Sequence, residues 1–137
     1  VKKYPYETAT EEQRKIGSLW WNVHHEIHLE PLTEPIENRV RYIKEHKPKH
    51  EIETRLKNLA PVLHPERLPE TLIKARDAYN KARIAYNEAK AYHNEVWDAC
   101  VKAWAALKKA RIAYEPELTA LHCEEYPDTT WNGKSIF

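Results

Sequence analysis

From 75 to 113 a small or apolar residue occupies every position of an alternating three-and-four spacing: Ala75, Ala78, Ala82, Ala85, Ala89, Tyr92, Val96, Ala99, Ala103, Ala106, Ala110 and Ala113. A repeat of 3.5 residues keeps one narrow stripe of a helix turned toward a partner, so this stretch is a heptad seam built to be covered. It contains neither glycine nor proline. An internal repeat reinforces the phase: Lys-Ala-Arg-Ile-Ala-Tyr stands at 81–86 and returns at 109–114. The preserved phase favours one continuous helix over a helical hairpin bent near His93-Asn94, whose turn would ordinarily add or drop residues. At 1.5 Å per residue, a helix over 69–115 is on the order of 65 Å long, more than a compact domain of this size needs.

The rest of the chain reads as shorter helices separated by proline. Thr10 with Gln13 three residues on forms a capping box, and the apolar spacing of Ile16, Leu19, Trp20, Val23 and Ile27 predicts a helix running to about Leu29. Thr33 as N-cap with Pro35 in the first turn predicts a second helix to His46, and Ile52, Leu56 and Leu59 mark a third. Only two glycines occur among 137 residues, against nine prolines, which disfavours tight β-hairpins. The expected class is all-α. Short N-terminal helices at 1–68 pack on one long alanine-rich helix (or helical hairpin) at 69–115. An irregular aromatic tail with a short helix follows at 116–137, all in one structural domain.

Charge narrows the function classes. The 22 basic and 21 acidic residues nearly cancel, unlike a protein whose main work is coating nucleic acid or an anionic membrane. Nine Lys or Arg against four acids between 71 and 114 nevertheless make the seam region basic, and Arg76, Arg83, Lys90 and Arg111 share one helix edge that could track a phosphate backbone or an acidic partner. A solvated face is the commoner meaning of such an edge. No apolar run approaches the roughly 20 residues needed to span a bilayer, and 1–6 lacks the features of a signal peptide. Two cysteines, Cys100 and Cys123, form no disulfide framework, so the expected setting is cytoplasmic and reduced.

Catalytic signals are absent: no glycine-rich phosphate loop, nucleophile elbow or dinucleotide fingerprint occurs, and the acids are dispersed. No catalytic residue and no cofactor are assigned. His24 and His28, four apart on the expected first helix, form the one candidate metal pair, with His122-Cys123 as a distant supplement. The zinc-protease pattern requires a Glu after the first His, and His25 stands there instead.

The sequence therefore points to a non-enzymatic binding or assembly protein acting through protein–protein contacts. Its interface would be the seam residues Ala78, Ala82, Ala85, Ala89, Tyr92, Val96, Ala99, Ala103, Ala106 and Ala110. The favoured partner is a second copy in an antiparallel dimer, with nucleic-acid binding and metal binding as alternatives. A viral or mobile-element structural subunit or host-factor inhibitor would fit the size and class. Tyr4, Tyr6, Trp131, Ile136 and Phe137 are further docking groups if the termini are not tucked in.

Overall fold

A computed structural model describes residues 4–89 and 94–137. The fold is mainly helical, roughly in keeping with the expected all-α class, with a small sheet added to it. A three-stranded antiparallel sheet in the order β2-β1-β3 lies among the helices, formed by β1 (Leu19–Trp21), β2 (Leu29–Pro31) and β3 (Ala60–Pro61). The helices are α1 (Glu11–Arg14), α2 (Ile36–His46), α3 (Lys49–Asn58), α4 (Glu70–Ala89), α5 (Asn94–Ala113) and α6 (Glu115–Glu125), with 3-10 turns at Pro5–Thr8 and Pro65–Arg67.

The chain divides into two compact units. One comprises Val1–Pro65 with Thr119–Phe137, and the other comprises Glu66–Leu118.

In the first unit the expected helix to Leu29 stops after a single turn. The capping box forms as the sequence predicts: Gln13 N–H donates to Thr10 Oγ1 at 3.1 Å, and Thr10 N–H donates to Gln13 Oε1 at 2.8 Å. Three residues beyond α1, Gly17 sits at φ 96°, a left-handed conformation that a glycine adopts without steric cost, and its N–H donates to Leu32 O at 2.8 Å. The chain then runs as β1. Trp20 and Trp21 are consecutive and both fully buried. A strand sends successive residues to opposite faces, so here the two adjacent Trp are buried by cover on both sides of the sheet.

Trp20 enters the main core with Val23, Leu32, Ile36, Val40, Ile43, Leu56 and Leu59, against which Tyr4, Tyr6 and Ile52 also pack. The residues Ile36, Val40 and Ile43 come from α2 and Leu56 from α3, at the helical spacing read from the sequence. Thr33 is not the cap of α2; Pro35 occupies that position, without a side-chain cap. Trp21 faces the other way, stacked on His122 of α6 at 4.3 Å between ring centroids.

The aromatic tail belongs to this unit and is largely tucked in. Ile136 is buried and its N–H donates to His25 O at 3.1 Å, while the exposed Phe137 ring lies 5.1 Å from the Arg55 guanidinium. Asn58 at the end of α3 ties the tail down. Its Nδ2 donates to Thr130 Oγ1 at 2.9 Å, and its Oδ1 accepts from Thr129 Oγ1 at 2.9 Å and from Thr130 N–H at 3.0 Å. The chain turns at Asn132-Gly133, with Asn132 Oδ1 accepting from Lys134 and Ser135 N–H at 2.9 Å each.

In the second unit, the expected 65 Å rod is two helices lying side by side. Tyr79 of α4 meets Trp104 of α5 with ring centroids 5.2 Å apart, and Tyr86 meets Trp97 at the same distance. One heptad forward in α4 is one heptad back in α5, so the helices run antiparallel as a hairpin. The bend placed by sequence near His93-Asn94 falls partly outside the described residues.

Replacing Asn58 with Ala removes three links to the tail and strands Thr130 N–H without its acceptor, which should cost about 2–3 kcal/mol. Urea unfolding is expected to show a lower midpoint with an unchanged slope, and Thr129→Ala, which removes one link, should cost less than half as much.

Candidate functional site

Closing the hairpin consumes only half of the seam. The first seam residue of each heptad, Ala75, Ala82, Ala89, Val96, Ala103 and Ala110, is half-buried or buried, whereas the second, Ala78, Ala85, Ala99, Ala106 and Ala113, is exposed. The contact line between the helices is displaced toward the flank that follows the seam. There Leu107 is 1% exposed and Tyr79, Tyr86 and Cys100 are half-buried. Tyr92 and Lys90 lie outside the described residues.

Helix geometry fixes where the exposed alanines point. At 100° per residue they lie roughly a quarter-turn from the contact line, with the same sense of rotation on both helices. Two antiparallel helices are exchanged by a two-fold axis normal to their common plane, so equivalent positions emerge on the same side. Ala78 and Ala85 of α4 thus share one broad face with Ala99, Ala106 and Ala113 of α5. The half-buried alanines floor the groove between them. No side chain on this face rises beyond a methyl group except Val96 among the described seam positions.

Charge borders the face in an ordered way. The residues preceding the first seam position of each heptad are Lys74, Lys81, Glu88, Glu95, Lys102 and Lys109, all exposed. Both glutamates stand at the end where α4 finishes and α5 begins. All four lysines stand toward the other end.

The proposed basic edge is less regular. Arg76 and Arg83 are half-buried on the flank that closes the hairpin, Arg76 is paired with Asp77 at 2.7 Å, and Arg83 Nε is buried with no hydrogen-bond partner. On α5 the equivalent positions include Trp97 and Trp104, so the cationic series does not continue down the second helix as a rail; Arg111 resumes it at half-burial.

The histidine pair is not one site. The helix that would align His24 with His28 is replaced by the turn between β1 and β2, where Asn22 adopts φ 46° and accepts the chain reversal through its N–H to His28 O at 3.1 Å. His24 is half-exposed and its Nδ1 lies 2.5 Å from Glu30 Oε1. His28 is buried, and its Nε2 lies 2.9 Å from His122 Nδ1. Sequence reasoning placed His122 as a remote supplement; it is the direct partner of His28. Among the described residues no group of three or more His, Cys, Asp or Glu is placed to hold a metal ion. Cys123 is exposed.

The His28–His122 pair is held between indoles. Trp131 stacks on His28 at 4.4 Å and Trp21 on His122 at 4.3 Å. Trp21 Nε1 in turn donates to Glu125 Oε1 at 2.9 Å, and that carboxylate also accepts the backbone N–H of Leu63 at 2.9 Å and of His64 at 2.7 Å. Burial pulls His122 down to about 4, keeping it neutral. A hydrogen bond between two imidazoles needs one donor and one acceptor nitrogen, and a neutral His122 satisfies that need. Burial likewise pushes the Tyr126 phenol up, consistent with a proton held in the 2.7 Å bond it donates to Pro61 O. These rings form a clasp that joins β1 and the turn after it to α6 and the tail.

No family model, curated protein or solved structure matches this chain. Among the described residues no helix is long and apolar enough to cross a membrane.

His122 is depressed in the folded state from an unfolded value near 6.5 to about 4, so the unfolded chain binds the extra proton first. Its contribution to stability is full above about pH 6.5 and is lost as pH falls toward 4, by up to something on the order of 3 kcal/mol. Urea midpoints measured at steps between those limits should decline for the native chain. His122→Phe, which keeps a stacked ring and removes the titrating group, should flatten that decline.

Proposed function

We propose that this protein is a non-enzymatic helical binding and assembly module that associates with a second copy of itself through the alanine face of the α4–α5 hairpin. The observation that carries the reading is the exposure of Ala78, Ala85, Ala99, Ala106 and Ala113 on one side of a paired hairpin. Surface positions of solvated helices commonly hold long polar side chains. Methyl groups at five heptad-spaced positions across two helices instead permit backbone approach at the short end of helix-packing distances. Two such faces laid together make a four-helix arrangement with an alanine core.

The border charges support a second copy and its orientation. If the hairpins pair end for end, Glu88 and Glu95 of one copy lie toward the lysine-bearing end of the other, which holds Lys74, Lys81, Lys102 and Lys109. Pairing in the same direction would set glutamate against glutamate and lysine against lysine. The favoured pairing is therefore antiparallel, and like-charge juxtaposition disfavours the alternative. A two-fold axis makes each contact occur twice.

Light scattering on the full chain at rising concentration should give the mass of two chains. Ala85→Glu or Ala99→Glu, each a surface change in the isolated hairpin, should return the single-chain mass while leaving the melting temperature of the monomer within a few degrees of the native chain. Added salt should weaken the dimer, because it screens opposite charges. A native chain that stays monomeric throughout would refute self-association, and a dimer strengthened by salt would refute the antiparallel orientation.

A further inference from the structure

A second site lies in the first unit, lined by other residues than those of the histidine–indole clasp. A cavity of about 270 Å³ opens between β2 and α2, and its walls include His24, Glu30, Thr33, Asn38, Arg39 and Tyr42 beside the apolar Val23, Leu32 and Ile36. At roughly 30 Å³ for each water in the liquid, that is space for about nine waters, or a molecule of about ten non-hydrogen atoms.

Three of its polar groups form an ordered set. Glu30 stands opposite Trp20 in the sheet register, and its side chain is only 9% exposed. Its Oε1 holds His24 Nδ1 at 2.5 Å. A carboxylate so placed orients the imidazole and leaves its other nitrogen, Nε2, for a different partner. His24 is itself 48% exposed, so that nitrogen can be reached.

Arg39 supplies the positive charge. Its Nε donates to Val23 O at 2.8 Å, and its guanidinium sits 5.5 Å from the Tyr42 ring. Those contacts anchor the base of the fork. Among the described residues no carboxylate lies within ion-pair distance of Arg39, although Glu30 and Glu34 share the same cavity wall. Partial burial, with a smaller contribution from Arg55, pulls its pKa down from the usual arginine value. A half-buried guanidinium held at its Nε by a backbone carbonyl, with its terminal nitrogens lacking an acid partner, is arranged to receive two oxygens of one planar or tetrahedral group.

We propose that this cavity binds a small molecule bearing an oxyanion, carboxylate or phosphate, with Arg39 forming the bidentate contact and His24 Nε2–H the additional donor. Donation from Nε2 while Glu30 holds Nδ1–H requires a proton on each ring nitrogen, a charge that the adjoining Glu30 carboxylate balances, so the charge left for the ligand is that of Arg39. Thr33 and Asn38 supply neutral hydrogen-bonding groups at the rim, and Val23, Leu32 and Ile36 accommodate the apolar part of a ligand. Glu34, exposed at the same mouth, disfavours a polyanion and selects for a small, singly recognised group.

The test is titration of the isotopically labelled full chain with inorganic phosphate and, separately, acetate, at fixed pH and ionic strength, following the His24 imidazole and Arg39 Nε resonances. Saturable shifts of both with either anion, absent with chloride, are the expected result. Phosphate alone would assign the phosphate class and acetate alone the carboxylate class. His24→Gln, a change at a half-exposed side chain, should weaken the binding by roughly tenfold, and Arg39→Gln should abolish it in a chain whose circular dichroism is unchanged. No saturable shift with either anion, shifts matched by chloride, or undiminished binding in His24→Gln would each overturn the proposal, and the His24→Gln result decides it should Arg39→Gln fail to fold.

Discussion

The first unit depends on one constraint: two adjacent indoles that must both leave water. Fully burying a large side chain is worth a few kcal/mol, and truncating a core Trp costs about 3–5 kcal/mol. Consecutive residues of a strand face opposite ways. A middle strand with cover on each side is the arrangement that buries Trp20 among α2 and α3 and Trp21 against His122. Much of what surrounds that strand follows. The polar indole nitrogens each need an acceptor in the interior, and they find Gln13 O for Trp20 at 2.7 Å and Glu125 Oε1 for Trp21 at 2.9 Å. Glu125 then has oxygen capacity to spare, which fixes the chain just after β3.

The second unit is built on the opposite principle, since its central contacts use small side chains and few of them are fully buried. Leu72 and Leu107 are closed off from water, while the two Tyr–Trp pairs carry the middle of the hairpin on their ring edges. Aromatic pairs at this separation contribute about 0.5–1.5 kcal/mol beyond their burial. They also explain why alanine suffices at the seam. Bulk comes from the flanking rings, so the seam itself can stay low and leave one face of the hairpin smooth.

Both departures from the sequence reading have physical causes that can be traced to residues. The helix expected up to Leu29 had a correct start at Thr10 and a plausible apolar period, but periodicity counts Trp20 as one member of a stripe and Trp21 as a neutral neighbour. The pair of adjacent Trp, with Gly17 before it and Asn22 after it, was the signal for a strand between two reversals. The continuous rod failed for a subtler reason. Ala89 and Val96 both occupy the first seam position, so heptad phase runs unbroken from α4 into α5, and phase alone contains no mark of the reversal. The side-chain pairs record it instead: Tyr79 meets Trp104 and Tyr86 meets Trp97, a crossed order that only an antiparallel pair of helices produces. The short helices α2 and α3, with their proline boundaries, were legible because local chemistry and tertiary packing agree there. The Glu30–His24 contact was not, because it depends on a strand register that the helical reading had removed.

The order of the units along the chain bears on how the protein assembles. Residues Glu66–Leu118 interrupt a unit whose parts are Val1–Pro65 and Thr119–Phe137, so the Trp21–His122 stack and the Asn58–Thr130 contacts require ends separated by the whole hairpin to meet. The hairpin's own contacts are local in sequence and form without waiting for that closure. Once formed, it brings its own two ends together, as the 3.3 Å hydrogen bond from Tyr114 Oη to Thr71 Oγ1 records. A loop of more than fifty residues is then replaced by an effective loop of a few, which on a logarithmic closure law lowers the entropic cost of joining the first unit by about 2 kcal/mol. The repeat that marks the most regular part of the sequence thus serves the irregular part: an insert held by contacts local in sequence lets a small sheet recruit its second cover from the far end of the chain.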